Sequence, residues 1–79
     1  MRWIYKRGDQ LLTLETSYDR FLGEYVLRWQ YPGGGEDLER YTNDFTFRRR
    51  LLSLEDDLRV WGWFSVGPNS FLRDGWQNL

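Results

Sequence analysis

Hydrophobic and polar residues alternate along the first part of the chain, as they do in β-strands that bury one face. Residues 3–6 and 11–18 follow this pattern on either side of a polar turn, residues 7–10, and predict a β-hairpin. One face of the second strand carries Leu12, Leu14, Thr16 and Tyr18. Its other face mixes apolar and polar residues, which predicts partial exposure.

The clearest alternation lies in residues 24–31 and predicts a strand of a half-buried antiparallel sheet. Four residues point to one face: Tyr25, Leu27, Trp29 and Tyr31. The opposite face holds Glu24, Val26, Arg28 and Gln30. A glycine-rich loop, residues 32–37, then leads into a short fourth strand, residues 38–41.

After the fourth strand the spacing of apolar residues changes from two toward 3.6, the period of an α-helix. Five residues form one face at spacings of 4, 3, 4 and 3 positions: Phe47, Leu51, Leu54, Leu58 and Trp61. The pattern predicts a helix over about residues 43–61, with Gly62 at its end.

The start of this helix has two interpretations. Thr42 or Asn43 can cap an N-terminus at the beginning of the periodic segment. Residues 45–47 have the composition of a strand, so a start as late as Ser53 is the alternative.

Two short strand-like segments, residues 63–66 and 70–73, flank a turn at residues 67–69. They predict a C-terminal hairpin or a strand that returns to the sheet edge. The expected fold is therefore α+β: an antiparallel meander of about four strands covered on one face by one helix, in a single domain over residues 1–79.

Aromatic residues dominate the composition: five Trp, five Tyr and five Phe occur in 79 residues, with no Cys and no His. Such a small domain lacks disulfides and the usual zinc ligands, so large rings supply much of its core. Periodic faces assign five rings to the core: Tyr25, Trp29, Tyr31, Phe47 and Trp61. Another five aromatic residues are not assigned to a core face by the pattern: Trp3, Phe45, Trp63, Phe71 and Trp76.

His and Cys also provide most nucleophiles, general bases and transition-metal ligands, so their absence argues against an enzyme. Glu55, Asp56 and Asp57 are consecutive, and on a helix they point about 100° apart, too far to close a metal site. Residues 32–37 lack the Lys and Ser or Thr of a phosphate loop. We expect no catalytic residue, no metal site and no cofactor.

Eleven Lys and Arg residues against twelve Asp and Glu residues give a net charge of -1 and a pI near 5.3, which weighs against nucleic acid and anionic membranes. The one basic run, Arg48, Arg49 and Arg50, spreads over about 200° of a helix and is interpreted as a solvated face. No apolar run approaches the roughly 20 residues of a membrane span, and no secretory signal is evident. We expect a cytoplasmic protein with no membrane partner.

Four strings carry a resemblance: Gly-Glu-Tyr-Val-Leu at residues 23–27, Glu-Arg-Tyr-Thr at 39–42, Phe-Arg-x-Arg-Leu-Leu-x-Leu-Glu at 47–55 and Gly-Trp at 62–63. The chain resembles small bacterial single-domain proteins of uncharacterised function in these strings. The resemblance implies a bacterial cytoplasmic setting, and it implies no activity.

A second apolar stripe falls on the predicted helix, opposite its core face, where a helix that covers one sheet should be polar. The outer face of the sheet also carries apolar residues. We therefore predict a non-catalytic interaction module that self-associates or docks on a protein partner. The predicted contact residues are Phe45, Arg49, Leu52 and Val60 on the helix, and Val26 and Arg28 on the outer sheet face.

Two other functions are compatible with the sequence. One is single-stranded nucleic-acid binding on the outer sheet face, through arginines and exposed rings. The residues that would make these contacts are Arg2, Arg28, Arg40, Trp3 and Tyr31. The other is a small enzyme or metal protein that uses Asp and Glu alone.

Overall fold

The segments of alternating polarity pair as an antiparallel sheet in a computed structural model, which describes residues 2–66. In chain order the elements are β1 (Arg2–Arg7), β2 (Gln10–Asp19), β3 (Glu24–Gln30), β4 (Glu36–Tyr41), α1 (Asp44–Val60) and β5 (Phe64–Ser65). The strand order in the sheet is β4-β3-β2-β1-β5, and each strand is antiparallel to its neighbours. Because α1 packs on one face of this meander, the predicted α+β fold is confirmed.

The first two hairpins have short turns. Arg7 pairs with Gln10, so two residues connect β1 to β2, and Gly8 takes a φ of 58° that side chains disfavour. In the β2–β3 turn, the Oδ1 atom of Asp19 accepts a hydrogen bond from the backbone N–H of Phe21 at 3.0 Å. These local interactions fix the register that places alternating residues on one face.

Two strands refine the sequence prediction. β4 begins at Glu36 rather than at residue 38, because Glu36 already pairs with Gln30 of β3. β5 pairs with β1, with Ser65 opposite Tyr5, as a strand returning to the sheet edge. The second half of the predicted hairpin, residues 70–73, lies outside the described residues.

The core lies between α1 and the inner face of the sheet. Cross-strand pairs align Trp3 with Leu14 and Leu14 with Trp29, which puts these rings under the helix. The residues of α1 that are buried against the sheet are Phe47, Leu51, Leu54 and Leu58. Full burial of such a side chain contributes about 1.5–3 kcal/mol, so this predicted stripe is the main attachment of the helix.

The last residue predicted for that stripe was assigned wrongly. Trp61 is 54% exposed, because α1 ends at Val60. The N–H of Trp63 then donates to the carbonyl of Leu58 at 2.9 Å, and the N–H of Gly62 donates to that of Arg59 at 3.1 Å. This is the Schellman arrangement, with Gly62 at a φ of 85°, and it returns Trp63 to the core in the place predicted for Trp61.

Tyr31 is a second core assignment that the structure corrects. It follows the last residue of β3 and is exposed. Its ring stacks on Trp29 with 6.1 Å between centroids, and its hydroxyl donates to Asp37 at 2.9 Å. The ring therefore covers the rim of the core rather than its centre.

The aromatic residues that the periodic pattern did not assign to a face differ in burial. Trp3 and Trp63 are buried in the core, and Phe45 is exposed. Trp3 shares the inner face of β1 with Tyr5, which is also part of the core. Phe71 and Trp76 lie outside the described residues.

Asn43 caps the N-terminus of α1, which begins at Asp44, so the late start at Ser53 is excluded. Its Oδ1 atom accepts hydrogen bonds from the backbone N–H groups of Phe45 at 2.8 Å and Thr46 at 3.2 Å. These N–H groups have no carbonyl partner within the helix. The cap therefore overcomes the strand preference of residues 45–47.

We expect Asn43→Ala to lower the free energy of unfolding by about 1 kcal/mol, since two helix N–H groups lose their acceptor. In a domain of this size that is a fall in Tm of about 4–8 °C, measurable by circular dichroism. Thr42→Ala, at the neighbouring exposed residue, is the matched control and should change Tm little. A similar loss in both variants would contradict the role of Asn43 as the cap.

Candidate functional site

Helix α1 has a regular stripe of residues on the face directed away from the sheet. Its members recur at spacings of 4, 3, 4 and 4 positions and lie within about 80° of one another around the helix axis. We call this surface the outer helix stripe; it consists of Phe45, Arg49, Leu52, Asp56 and Val60. Phe45, Leu52 and Val60 are 61%, 44% and 82% exposed, so three apolar side chains face solvent there.

The two charged residues of the stripe, Arg49 and Asp56, take no part in the ion pairs of the described residues. The guanidinium of Arg49 lies 5.9 Å from the centroid of the Phe45 ring, within range of a cation–π contact. Within residues 2–66, neither Arg49 nor Asp56 forms an ion pair with another side chain. The stripe thus presents one positive and one negative charge among its apolar groups.

The arginines of the outer sheet face, by contrast, are engaged by carboxylates. Arg28 pairs with Glu36 at 3.2 Å, and Arg2 pairs with Glu15 at 3.3 Å. Arg40 lies 3.3 Å from Asp19 and 3.4 Å from Glu24, and its neighbour Asp19 has a lowered pKa, mainly because the N–H of Leu22 donates to it. Phosphate groups would have to compete with these partners.

Val26, predicted as a contact residue on the same face, is only 7% exposed. It therefore has little surface to offer a partner. Phe64 and Val66 add apolar surface beside Ile4 at the other edge of this face, which the sequence did not indicate because it requires the pairing of β5 with β1.

Glu39 is the centre of a polar network between β4, β3 and α1. Arg50 donates two hydrogen bonds to its carboxylate, from Nε at 2.8 Å and from Nη2 at 3.0 Å. The indole N–H of Trp29 donates to the same carboxylate at 3.0 Å. The hydroxyl of Tyr41 donates to the same carboxylate. This arrangement, above all the bond from Arg50, lowers the pKa of Glu39.

The chemical consequence is that Glu39 is held ionised and surrounded by donors. A carboxylate in this state is suited to joining elements and not to donating a proton at neutral pH. Burial and the neighbouring Glu39 raise the pKa of Tyr41 to about 12, so its hydroxyl also keeps its proton. Arg50, unlike a solvated residue of the basic run, therefore connects α1 to β4 through Glu39.

A cleft of about 350 Å³ lies between β5 and the C-terminal half of α1. Its lining residues are Tyr5, Glu55, Arg59, Trp63, Phe64 and Ser65. Burial, with the charge of Glu55, raises the pKa of Tyr5, so this hydroxyl is not a base at neutral pH. Because the chain has no His, Ser65 also lacks the usual activating partner of a nucleophilic serine.

Residues 2–66 contain no group of three or more His, Cys, Asp or Glu side chains placed to hold a metal ion. In the same part of the chain, no helix is long and apolar enough to cross a membrane.

Comparison with known proteins adds no candidate. No protein-family model, curated protein or solved structure matches the chain. The resemblance to small bacterial proteins stays a prediction, and the functional proposal rests on the chain's own residues.

Proposed function

We propose that this protein is a non-catalytic interaction module that binds a protein chain, a partner or a second copy of itself, through the outer helix stripe. The observation that carries the proposal is the exposure of Phe45, Leu52 and Val60 on the side of α1 that the core does not use. A helix that packs on a single sheet normally has a polar outer face. Aromatic residues and arginine are also enriched at protein interfaces, and Phe45 and Arg49 supply both.

The two regions predicted for partner contact are not equally suited to it. On the helix, Phe45, Leu52 and Val60 can lose water on binding without any change of fold. On the outer sheet face, Val26 is already buried and Arg28 is paired with Glu36. The helix is therefore the better supported contact surface.

Single-stranded nucleic-acid binding is less well supported by the structure. Trp3, one of the rings proposed to stack on bases, is buried in the core. Arg2, Arg28 and Arg40 have carboxylate partners. Chemistry by carboxylates alone, and a cytoplasmic location in a bacterium, stay predictions.

Leu52→Asp tests the proposed surface. We expect the wild-type chain either to sediment with a concentration-dependent increase in mass or, when immobilised, to retain a specific protein partner. Leu52→Asp should abolish this behaviour, because it places a carboxylate at the centre of the apolar stripe. Analytical ultracentrifugation at micromolar to millimolar concentration and affinity capture measure the two forms of binding.

Leu38→Asp is the matched control, since Leu38 lies on the outer sheet face at 47% exposure, close to the 44% of Leu52. It should leave binding unchanged. A chain that is monomeric at every concentration, with partner capture unaffected by Leu52→Asp, would refute the proposal. Loss of binding in Leu38→Asp alone would move the contact to the sheet.

A further inference from the structure

We propose that the occupant of the outer helix stripe is a second copy of the chain, packed antiparallel, with Arg49 of each copy paired to Asp56 of the other. This inference rests on the proposed function and specifies its partner. It would produce a symmetric dimer with four layers, in which two helices lie between two sheets.

The stripe is symmetric about a point between Leu52 and Ser53. Phe45 and Val60 are equally far from that point, as are Arg49 and Asp56. At about 1.5 Å of rise per residue, Arg49 and Asp56 are about 10.5 Å apart along the axis. In an antiparallel pair of helices, Phe45 faces Val60 and Arg49 faces Asp56. The two Leu52 side chains lie on either side of the centre, about 1.5 Å apart along the axis.

The charges favour this orientation over a parallel one. In a parallel dimer each Arg49 would face Arg49 of the second copy, and each Asp56 would face Asp56, which is repulsive. In the antiparallel dimer both residues gain a partner of opposite charge, which neither has among the described residues of its own chain.

The size of the stripe sets the expected strength of the dimer. One exposed face of a 17-residue helix is smaller than the roughly 800 Å² per partner of a typical stable interface. We therefore expect association in the micromolar range or weaker, on the order of a transient contact.

Charge reversal tests the Arg49–Asp56 contact. We expect Arg49→Glu and Asp56→Arg each to weaken dimerisation roughly tenfold or more in sedimentation equilibrium, because each creates two like-charge contacts per dimer. The double variant Arg49→Glu/Asp56→Arg restores opposite charges and should recover most of the wild-type affinity. A double variant as weak as the single variants would overturn the pairing.

Thiol cross-linking tests the orientation independently. The chain has no cysteine, so Phe45→Cys and Val60→Cys each carry one thiol. When the two variants are mixed with a short bis-maleimide, the antiparallel dimer gives mainly links between position 45 and position 60. Asp9→Cys lies in the β1–β2 turn near the C-terminal end of α1, where Arg7 donates to the carbonyl of Trp61. In the antiparallel dimer position 60 of the second copy lies at the other end of the helix, so Asp9→Cys mixed with Val60→Cys gives the background of random collisions.

The outcomes separate this inference from the proposed function. Links of 45 to 45 and 60 to 60 in excess would show a parallel dimer and overturn the antiparallel one, while the proposed contact surface would stand. A monomer at all concentrations would overturn self-association altogether. In that case the proposed function would survive only if Leu52→Asp abolished capture of a different protein.

Discussion

Phe47→Ala is expected to lower the free energy of unfolding by about 3–5 kcal/mol, the largest single effect that we predict. Phe47 is fully buried between α1 and the sheet. Its ring stacks on Tyr25 with 5.1 Å between centroids and lies 5.9 Å from the ring of Tyr41. Truncation would remove these contacts and leave a cavity that neighbouring rings cannot fill without moving. A domain of this length has roughly 4–12 kcal/mol of stability in total, so the variant should be marginally folded.

Phe45→Ala is the matched control, because it makes the same change two positions earlier in the same helix. Phe45 belongs to the outer helix stripe and is exposed, so we expect its loss to change stability by no more than about 0.5 kcal/mol. Urea denaturation of dilute protein, followed by tryptophan fluorescence, measures both variants without a contribution from association. Equal losses in the two variants would contradict the assignment of the helix faces.

The contrast between Phe45 and Phe47 could be predicted from sequence because the helix period fixes both faces at once. Strand alternation was equally informative for β2 and β3, whose buried residues follow from a period of two. The start of the helix could not be chosen by propensity, since residues 45–47 favour a strand. It was decided by the side chain of Asn43, which is one of the two caps that the sequence offered.

Features that depend on distant parts of the chain were not predictable in the same way. Trp61 continues the apolar period, but the turn at Gly62 removes it from the helix and gives its place to Trp63. β5 pairs with β1 through Ser65 and Tyr5, residues about 60 positions apart in sequence. Neither result has a local signal in the pattern of polarity.

In the candidate site, too, the positions of the residues could be predicted from the sequence and their ion pairs could not. The periodicity of α1 indicated Phe45, Arg49, Leu52 and Val60, and the structure places them on one exposed surface. What the sequence could not indicate is which charges are already paired. Arg50 is bound to Glu39 of β4, whereas Arg49, its neighbour in the basic run, has no carboxylate partner among the described residues. That difference makes Arg49, rather than the whole run, a residue to test.

Glu39→Gln is expected to lower the free energy of unfolding by about 1.5–3 kcal/mol at neutral pH, since charge-assisted hydrogen bonds to a partly buried carboxylate are lost. The amide would keep one acceptor oxygen, but its NH₂ group would face the donors of Arg50, Trp29 or Tyr41. The polar connection between the helix and β4 would then be weaker. Chemical denaturation at pH 7 measures the effect.

Glu36→Gln is the control for this variant, because Glu36 and Arg28 form an ion pair whose side chains are 46% and 44% exposed, against 28% for Glu39. An exposed pair of this kind contributes about 0–1 kcal/mol, so the control should lose clearly less stability. If the two variants lost the same amount, the network around Glu39 would be no stronger than a surface ion pair.

The pH dependence of stability provides a second measurement of the same network. The pKa of Glu39 is lowered by folding, so its stabilising effect is fully present above the ordinary value of 4.5 and is lost as the pH falls through the lower pKa of the folded state. The difference in stability between the wild type and Glu39→Gln should therefore shrink as the pH is lowered from 5 toward 2. A difference that stays constant over this interval would show that the ionised carboxylate is not what joins β4 to the helix.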